Sequence, residues 1–212
     1  MNQHYHSTFG AIQESETVYI DNGLRQIFKS SYTRDMEEKD CINILEVGFG
    51  TGLNALLTFN EATRQNRRVN YTAIEAFPLG ENCWRTLNYP DLADSTEQTK
   101  IFTMLHLSGW NKIVEISNHF TLHKIHSTLE RFVPEPPLFG LVYFDAFGPD
   151  VQPELWIEAI FQKISNNMIH GGTLVTYSVK GTVVRALQAA GFSVEKLPGP
   201  PGKRHILRAK KL

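Results

Sequence analysis

The sequence predicts an α/β fold with a mostly parallel, seven-stranded sheet that ends in an antiparallel hairpin at its C-terminal edge. The parallel part is predicted because short apolar runs alternate with amphipathic segments from about residue 42 onward, which is typical of strands joined by crossover helices. The hairpin is predicted because the last two strand-like runs, 192–197 and 205–209, are joined by a short segment rich in proline and glycine. That segment is too short for a helical crossover, so at least one of the two strands must run antiparallel to its neighbour.

Each predicted strand is a short run of mainly apolar, β-branched or aromatic residues. The runs are, in chain order, 42–47, 69–75, 119–126, 141–144, 173–177, 192–197 and 205–209. The fourth run is apolar throughout and is directly followed by Asp145.

The predicted helices are the amphipathic segments between these runs. They begin after Gly52, at Pro78, within 91–117, at Pro153 and at residue 181. Thr51 and Asn54 are candidate caps for the first helix, and proline suits the start of the second and fourth because its φ is already helical. Gly171 and Gly172 are predicted to end the helix that Pro153 opens.

Residues 1–40 do not follow this alternation. We predict that they form an N-terminal extension packing near the active site, and that residues 41–212 form the main domain. Within the extension, residues 18–24 are predicted to form a short hairpin. The extension is expected to cover a bound ligand or to shape the substrate pocket.

The composition is that of an ordinary globular protein. Of the 212 residues, 42% are hydrophobic and 20% are charged, which fits one domain with a short extension. The formal net charge of -1 gives no overall attraction to nucleic acid, so an RNA contact requires a local patch. Cys41 and Cys83 are expected to be reduced, buried thiols. No membrane span or signal peptide is evident, so a cytoplasmic location is expected.

The most informative motif is Glu-Val-Gly-Phe-Gly-Thr-Gly at residues 46–52, directly after the first predicted strand. Glycines in such a turn let backbone N–H groups approach a ligand without a Cβ in the way. A dinucleotide-binding turn needs its third glycine where this sequence has Leu53, and a P-loop needs a Gly-Lys-Ser/Thr that is absent. The motif therefore favours the other cofactor that uses such a turn, S-adenosylmethionine.

Two acids support that cofactor. Glu46 would repel a pyrophosphate, whereas a carboxylate is favourable beside the ammonium and sulfonium groups of S-adenosylmethionine. Glu75 ends the second predicted strand, where an acid suits hydrogen bonding to ribose hydroxyls. With the C-terminal hairpin, these features predict a Rossmann-like class I methyltransferase. The predicted cofactor-binding residues are Glu46, Gly48, Phe49, Gly50, Thr51, Gly52, Asn54 and Glu75.

The predicted catalytic residues centre on Asp145, because ligands of open α/β sheets bind beyond the carboxyl ends of the strands. Methyl transfer to an amine needs an unprotonated nucleophile, and a nearby carboxylate can accept the proton or orient the lone pair. Phe147 is placed to exclude water or to stack on a planar substrate, and Glu14 is a further candidate. No metal is predicted, since His123 and His126 would face opposite sides of a strand.

Basic residues concentrate near the C-terminus. They are Lys196, Lys203, Arg204, Arg208, Lys210 and Lys211. On a chain of nearly zero net charge, this cluster is predicted to form a phosphate-binding rim.

These motifs together resemble the methyltransferase domain of the MnmC family of tRNA-modification proteins and its stand-alone relatives called MnmD. The similar segments, in the family's order, are 6–15 with 23–24, 46–54, 74–79, 144–156 and 171–204. The most specific is Phe-Asp-Ala-Phe-Gly-Pro at 144–149, followed by Pro-Glu-Leu-Trp at 153–156. The resemblance implies S-adenosylmethionine as donor, tRNA as partner, and conversion of a wobble aminomethyl-uridine to 5-methylaminomethyl-2-thiouridine.

Residue by residue, the resemblance implies cofactor contacts by the glycine turn and Glu75, and an acid facing the substrate amine at Asp145. It also implies an RNA-contacting basic pair at Lys203 and Arg204. The family often has Gly-Asp where this sequence has Ser-Thr at 127–128, so adenine recognition here has to use a hydroxyl or backbone groups.

Two alternatives stay open on the sequence alone. One is a small-molecule or protein methyltransferase on the same scaffold, and the other is a non-catalytic module that binds S-adenosylmethionine or RNA. The flavin-dependent oxidase domain of bifunctional family members has no counterpart in this sequence, so the substrate is expected to bear the aminomethyl group already.

Overall fold

The computed structural model describes residues 8–29, 41–87, 89, 96–134 and 138–212. Its strands are β1 (Cys41–Val47), β2 (Arg68–Glu75), β3 (Lys112–Ser117), β4 (Phe120–His126), β5 (Phe139–Phe144), β6 (Met168–Thr176), β7 (Phe192–Pro198) and β8 (His205–Lys211). Its helices are α1 (Thr8–Ser15), a π-helix (Glu16–Leu24), α2 (Arg25–Lys29), α3 (Leu53–Arg64), α4 (Glu81–Trp84), α5 (Thr96–Leu107), a 3₁₀ turn (Pro153–Leu155), α6 (Glu158–Asn166) and α7 (Gly181–Ala189). Residues 6–7 of the family resemblance lie outside these ranges.

The predicted α/β fold class is confirmed. The strands form one sheet in the order β3-β4-β2-β1-β5-β6-β8-β7. The pairs from β4 to β6 are parallel, and β8 and β7 add the expected antiparallel hairpin at one edge. The strand order reverses at β1, between β2 and β5, and in such sheets this reversal creates a ligand-binding crevice.

The sheet has one strand more than predicted, because residues 112–117 form β3 rather than part of a helix. β3 pairs antiparallel with β4 at the other edge of the sheet. As an edge strand it is half exposed, with Ile113 72% exposed, so it lacks the continuous apolar run that identified the central strands. The predicted helix in this region is confined to α5.

Several element boundaries also differ from the prediction. The helix expected at Pro78 begins at Glu81, and Pro153 opens a 3₁₀ turn ahead of α6. Gly171 and Gly172 lie inside β6, where Gly171 has φ of 74° and the register with β5 shifts, as in a β-bulge. The two thiols were expected to be buried, but Cys41 is half-buried and Cys83 is exposed.

The described part of the N-terminal extension is helical, so the hairpin predicted at 18–24 is wrong. Residues 18–20 are all buried, which suits a helix wedged against the sheet better than a surface hairpin with alternating faces. Gly23 allows the π-helix to approach β5 and β6 closely, since a Cβ there would lie 3.1 Å from Val175 Cγ2 and 3.3 Å from the Tyr143 ring.

Helices cover both faces of the sheet. The π-helix, α3 and α5 pack on one side with Ile42 and Ile44 of β1, whereas α6 and α7 pack on the other side with Leu45 and Val47. No helix in the described ranges is both long and apolar enough to cross a membrane. Within the same ranges, no group of three or more His, Cys, Asp or Glu side chains is arranged to hold a metal ion.

Glu61 of α3 forms an ion pair with Arg25 of α2. Its carboxylate is 3% exposed and accepts from Arg25 Nη2 at 2.9 Å, and it also accepts from Arg64 Nη2 at 2.6 Å and Gln65 Nε2 at 3.1 Å. Burial alone would raise its pKa from 4.5, but these donors outweigh burial and lower the pKa to about 2.

We expect Glu61→Gln to lower the free energy of unfolding at pH 7 by about 1–3 kcal/mol, because charge-assisted hydrogen bonds are lost in a buried site. A depressed carboxylate pKa stabilises the fold fully above the ordinary value of 4.5 and stops doing so as pH falls towards 2. The difference between wild type and variant in urea unfolding should therefore shrink across that window. Glu130→Gln, at an exposed position, is the control, and an equal effect of both changes would contradict the assignment.

Candidate active site

A cavity of about 760 Å³ opens at the carboxyl ends of the parallel strands. Its walls come from the segments at the ends of β1, β2, β4, β5 and β6, at residues 47–51, 53–54, 74–77, 127, 129, 145–148 and 177. The predicted cofactor residue Gly52 does not line it. The extension adds Glu14 and Tyr19, and the loop between β7 and β8 adds Lys203. Strand topology thus brings together segments that are far apart in the sequence.

The glycine turn after β1 has an unusual backbone, with φ of 93° at Gly48, 50° at Gly50 and 74° at Gly52. At Gly48 a Cβ would lie 2.9 Å from the backbone oxygen of Asp145, so only glycine lets the two loops approach so closely. At Gly50 a Cβ would meet nothing within 4 Å, which leaves open space on the cavity side of the turn.

The three glycine N–H groups of this turn are bound within the protein, contrary to the expectation that they would face a ligand. Gly48 N donates to Ile74 O at 2.9 Å, and Gly50 N donates to Glu75 Oε2 at 3.0 Å. Gly52 N donates to Phe49 O at 2.8 Å. Gly52 is also the N-cap of α3, in the left-handed region and without a side-chain cap, so Thr51 and Asn54 do not cap the helix as predicted.

Glu75 is fixed at the edge of the cavity by two backbone donors. Besides the bond from Gly50, Glu75 Oε1 accepts from Phe77 N at 2.8 Å. A carboxylate offers about four acceptor positions, so it keeps capacity for hydroxyl donors. Phe77 is 74% exposed and lines the same part of the cavity, although the sequence pattern did not single it out.

Asp145 lies where predicted, half-buried at the cavity wall. Its Oδ1 accepts from the Tyr19 hydroxyl at 2.5 Å, and its Oδ2 accepts from Asn54 Nδ2 at 2.8 Å. Burial raises the pKa of the Asp145 carboxyl to about 6, although the hydrogen bonds from Tyr19 and Asn54 act in the opposite direction. The group is therefore ionised at neutral pH yet close to its titration range, as a general base should be.

Glu46 differs from its prediction as a cofactor contact, because its side chain is completely buried and does not line the cavity. Its Oε1 accepts from Asn54 Nδ2 at 3.0 Å. Burial, reinforced by the charge of Asp145, raises the pKa of Glu46 well above 4.5, so its environment beneath the site favours the protonated form. Asn54 thus bridges two carboxyl groups with one amide.

The rim contains the other predicted catalytic residues. Glu14 lines the cavity and forms an ion pair with Lys203, whose Nζ lies 4.4 Å from the Tyr177 ring centroid. Phe147 is 48% exposed at the mouth. Its carbonyl accepts from Trp156 Nε1 at 2.8 Å, which fixes the loop after β5.

Of the predicted basic pair, Lys203 and Arg204, only Lys203 lines the cavity. Lys203 belongs to the cavity through its ion pair with Glu14, whereas Arg204 is exposed and does not line the cavity. Ser127, at the position where the family often has Gly-Asp, lines the cavity and donates its N–H to Glu75 O at 3.1 Å.

Beneath the glycine turn lies a cluster that the sequence did not indicate. The ring of Phe49, a predicted cofactor residue that lines the cavity, is buried and packs edge-on against His106 and Trp110. Lys124 is 1% exposed and donates to His106 O at 2.8 Å. Burial lowers the pKa of Lys124 to about 8 and that of His106 to about 4. His106 Nε2 lies 3.1 Å from Thr51 O and supports the turn from below.

Comparison with known proteins identifies the family. A family model described as S-adenosyl-L-methionine-dependent methyltransferase matches residues 92–212, more than half of the chain. The chain belongs to this family. The protein is therefore a methyltransferase, and its methyl donor is S-adenosylmethionine.

Similar proteins extend the match over nearly the whole chain. The tRNA 5-methylaminomethyl-2-thiouridine biosynthesis bifunctional protein MnmC of Leptospira borgpetersenii is 31% identical over 219 residues, which cover 97% of this chain and 32% of that protein. The protein of the same name from Aromatoleum aromaticum is 29% identical, with 97% and 32% covered. The chain spans about a third of the length of these relatives.

A solved structure supports the fold. The crystal structure of MnmC2 from Aquifex aeolicus superposes with a TM-score of 0.71 at 22% identity, and the match covers 97% of this chain and 62% of that one. It therefore has the same class I methyltransferase architecture.

The described residues fit the donor of this methyltransferase. The cavity volume of about 760 Å³ lies within the range of small-molecule sites, roughly 300–1,000 Å³. The open space beside Gly50 would be filled by any side chain there, and the anchored Glu75 carboxylate has acceptor capacity for ribose hydroxyls.

Proposed function

We propose that this methyltransferase converts 5-aminomethyl-(2-thio)uridine at the wobble position of tRNA to 5-methylaminomethyl-(2-thio)uridine. The observation that carries the proposal is Asp145, a carboxylate at the cavity wall with a pKa of about 6 and one donor on each oxygen. The printed name of the relatives, a 5-methylaminomethyl-2-thiouridine biosynthesis protein, supports the choice of acceptor. A tRNA substrate also implies a cytoplasmic location.

The donor is proposed to lie between the glycine turn and the segment after β2. Gly48 and Gly50 shape the floor by their backbone, Gly52 holds the turn through its bond to Phe49 O, and Glu75 receives the ribose hydroxyls. Thr51 and Asn54 line the same wall. Ser127 is proposed to contribute its hydroxyl or backbone on the adenine side, in place of the acid that is missing there.

Asp145 is proposed to act as general base. Bound S-adenosylmethionine supplies a methyl group made electrophilic by its sulfonium. An aminomethyl group arrives mainly as an ammonium ion, and Asp145 takes one proton from it so that the nitrogen lone pair becomes available. The nitrogen then forms a bond to the methyl carbon as the carbon–sulfur bond breaks, and the product is a secondary ammonium.

The rim residues are proposed to position the nucleotide. Phe147 offers an exposed ring for stacking on the uracil, as unstacked RNA bases commonly do on aromatic side chains. Glu14 adds a second carboxylate towards the incoming ammonium, held by Lys203. Arg204, exposed beside them, is the candidate for phosphate contact.

The test is methyl transfer from labelled S-adenosylmethionine to tRNA that carries aminomethyl-uridine, followed by digestion and mass analysis of the nucleosides. We expect the label in one nucleoside, heavier than its precursor by one methylene. Transfer only to small amines or to protein, or donor binding without turnover on this tRNA, would contradict the proposal.

We expect Glu75→Gln to weaken binding of S-adenosylmethionine about tenfold or more, because one of its two oxygens becomes a donor facing a backbone N–H and is left unsatisfied. Isothermal titration calorimetry measures the dissociation constant without an acceptor. Glu115→Gln on the exposed side of β3 makes the same change of charge and should leave binding unaltered. Equal affinities of wild type and Glu75→Gln would remove Glu75 from the donor site.

A further inference from the structure

The extension contributes a buried phenol to the active site. Tyr19 lies in the π-helix, 126 residues before Asp145, and is only 1% exposed. Its ring packs against that of Tyr143 with the centroids 5.2 Å apart, and its hydroxyl donates to Asp145 Oδ1 at 2.5 Å. Nothing in the sequence motifs pointed to this contact.

We propose that Tyr19 is a positioning residue for methyl transfer, which acts with Asn54 to hold the Asp145 carboxylate ionised and in one orientation. The extension would then complete the active site as well as cover it. The kinetic part of this inference rests on the proposed function, whereas the effect of Tyr19 on the Asp145 carboxyl does not.

Tyr19 and Asn54 are both suited to donate hydrogen bonds to the Asp145 carboxylate. Burial, together with the charge of Asp145, raises the pKa of Tyr19 well above 10, so its hydroxyl keeps its proton and acts as donor. Asn54 Nδ2 has two hydrogens, and its two acceptors are Asp145 Oδ2 and Glu46 Oε1. Each oxygen of Asp145 thus receives one donor and keeps lone-pair capacity for the substrate ammonium.

Removing one donor should move the titration of Asp145 in a known direction. Hydrogen bonds to the charged form of a carboxyl lower its pKa, and burial raises it. Because burial already holds the pKa at about 6, loss of the Tyr19 hydroxyl leaves only Asn54 as a donor, and the pKa should rise towards neutrality.

The substitution at Tyr19 leaves the other ionisable groups around Asp145 in the sequence. Glu14 of α1 raises its pKa, and Lys203 of the β7–β8 loop lowers it, but these two side chains are paired with each other. Burial raises the pKa of Glu46, below Asp145, well above 4.5 and that of Tyr177 above 10. A shift on loss of one hydroxyl would therefore report the hydrogen bond itself.

The experiment compares Tyr19→Phe with Tyr143→Phe. Both variants delete a hydroxyl from a fully buried tyrosine, but that of Tyr143 lies 3.3 Å from Thr58 Oγ1 and does not contact Asp145. Carbon-13 NMR of aspartate-labelled protein, with the signal assigned by Asp145→Asn, follows the carboxyl titration without donor or acceptor. Methyl-transfer rates across pH 5–9 are measured in parallel.

In Tyr19→Phe we expect the Asp145 pKa to rise by about one unit, the effect of one charge-assisted hydrogen bond. The ionised fraction, and with it the transfer rate, should then fall about fivefold at pH 6 and by only about a tenth at pH 8. In Tyr143→Phe the pKa should stay near the wild-type value.

An unchanged Asp145 pKa in Tyr19→Phe would overturn the inference, and so would an equal rise in Tyr143→Phe, because general loosening would then explain both. A rise confined to Tyr19→Phe would support the inference even if the wild-type protein transfers no methyl group to tRNA. In that case the proposed function would fail by itself.

Discussion

Asp145→Asn is expected to lower the rate of methyl transfer by about 10²–10⁴-fold, the usual contribution of a positioned general base. Asparagine has nearly the same size, but it cannot accept a proton from the substrate ammonium. It also turns one acceptor into a donor that faces either Tyr19 or Asn54, the two donors that hold the wild-type side chain. The substrate amine would then remain protonated and without a lone pair for attack.

The measurement is the single-turnover rate with saturating donor, together with donor affinity and circular dichroism to show that fold and cofactor binding persist. Asp150→Asn is a matched control, because Asp150 lies on the same loop and its side chain is 80% exposed in an ion pair with Lys180. We expect this control to stay within twofold of the wild-type rate. A comparable loss in both variants, or retention of the rate in Asp145→Asn, would rule out Asp145 as the base.

The same assignment predicts the pH profile of the wild-type enzyme. The pKa of Asp145 is raised from 3.8 to about 6, so the carboxylate is ionised above that pH and becomes protonated below it. The rate should therefore be lost as pH falls through 6, by about tenfold for each further unit. A profile that is flat down to pH 4.5 would mean that no such carboxylate takes part.

The sequence predicted well which acids lie at the carboxyl ends of the strands. Glu75 is the last residue of β2 and Asp145 directly follows β5, and parallel strands place their carboxyl ends at one edge of the sheet. Position along a strand was therefore sufficient to bring these two acids to one cavity.

The burial of Glu46 could not be predicted from its position on a strand. Glu46 is the penultimate residue of β1, whereas Glu75 is the last residue of β2. β1 lies in the middle of the sheet, and Asn54 of α3 lies over the Glu46 carboxyl. Parity along β1 already places Glu46 on the same face as Ile42 and Ile44, the side packed against the N-terminal helices. Which helix residue covers an acid depends on tertiary packing and is not encoded locally.

Contacts between segments that are distant in the sequence also depend on tertiary packing, so they could not be predicted from the sequence. Lys203 was predicted to bind phosphate because it stands in a basic cluster, yet it pairs with Glu14, 189 residues away. Tyr19 lies in a segment predicted as a hairpin, and its hydroxyl reaches Asp145 only because the π-helix packs closely on β5 and β6. Both contacts arise from the way the extension folds over the cavity.

Gly48→Ala is expected to cost about 3 kcal/mol or more of unfolding free energy and about 100-fold in transfer rate. Two effects combine at this position. A φ of 93° disfavours any residue with a Cβ, and the new Cβ would lie 2.9 Å from the backbone oxygen of Asp145. Backbone cannot rotate away as a side chain can, so the loop carrying Asp145 must shift, and displacement of a catalytic group by about 1 Å is enough for such a loss of rate.

Gly191→Ala separates the two effects, because Gly191 has a similar φ of 84° but a Cβ there would meet nothing within 4 Å. It lies after α7, away from the cavity, and should cost only the conformational penalty of about 1–2 kcal/mol with no loss of transfer rate. Urea unfolding and single-turnover rates of both variants give the two quantities. If both variants lose equal stability and both keep the wild-type rate, then the contact between the glycine turn and the Asp145 loop does not position the base.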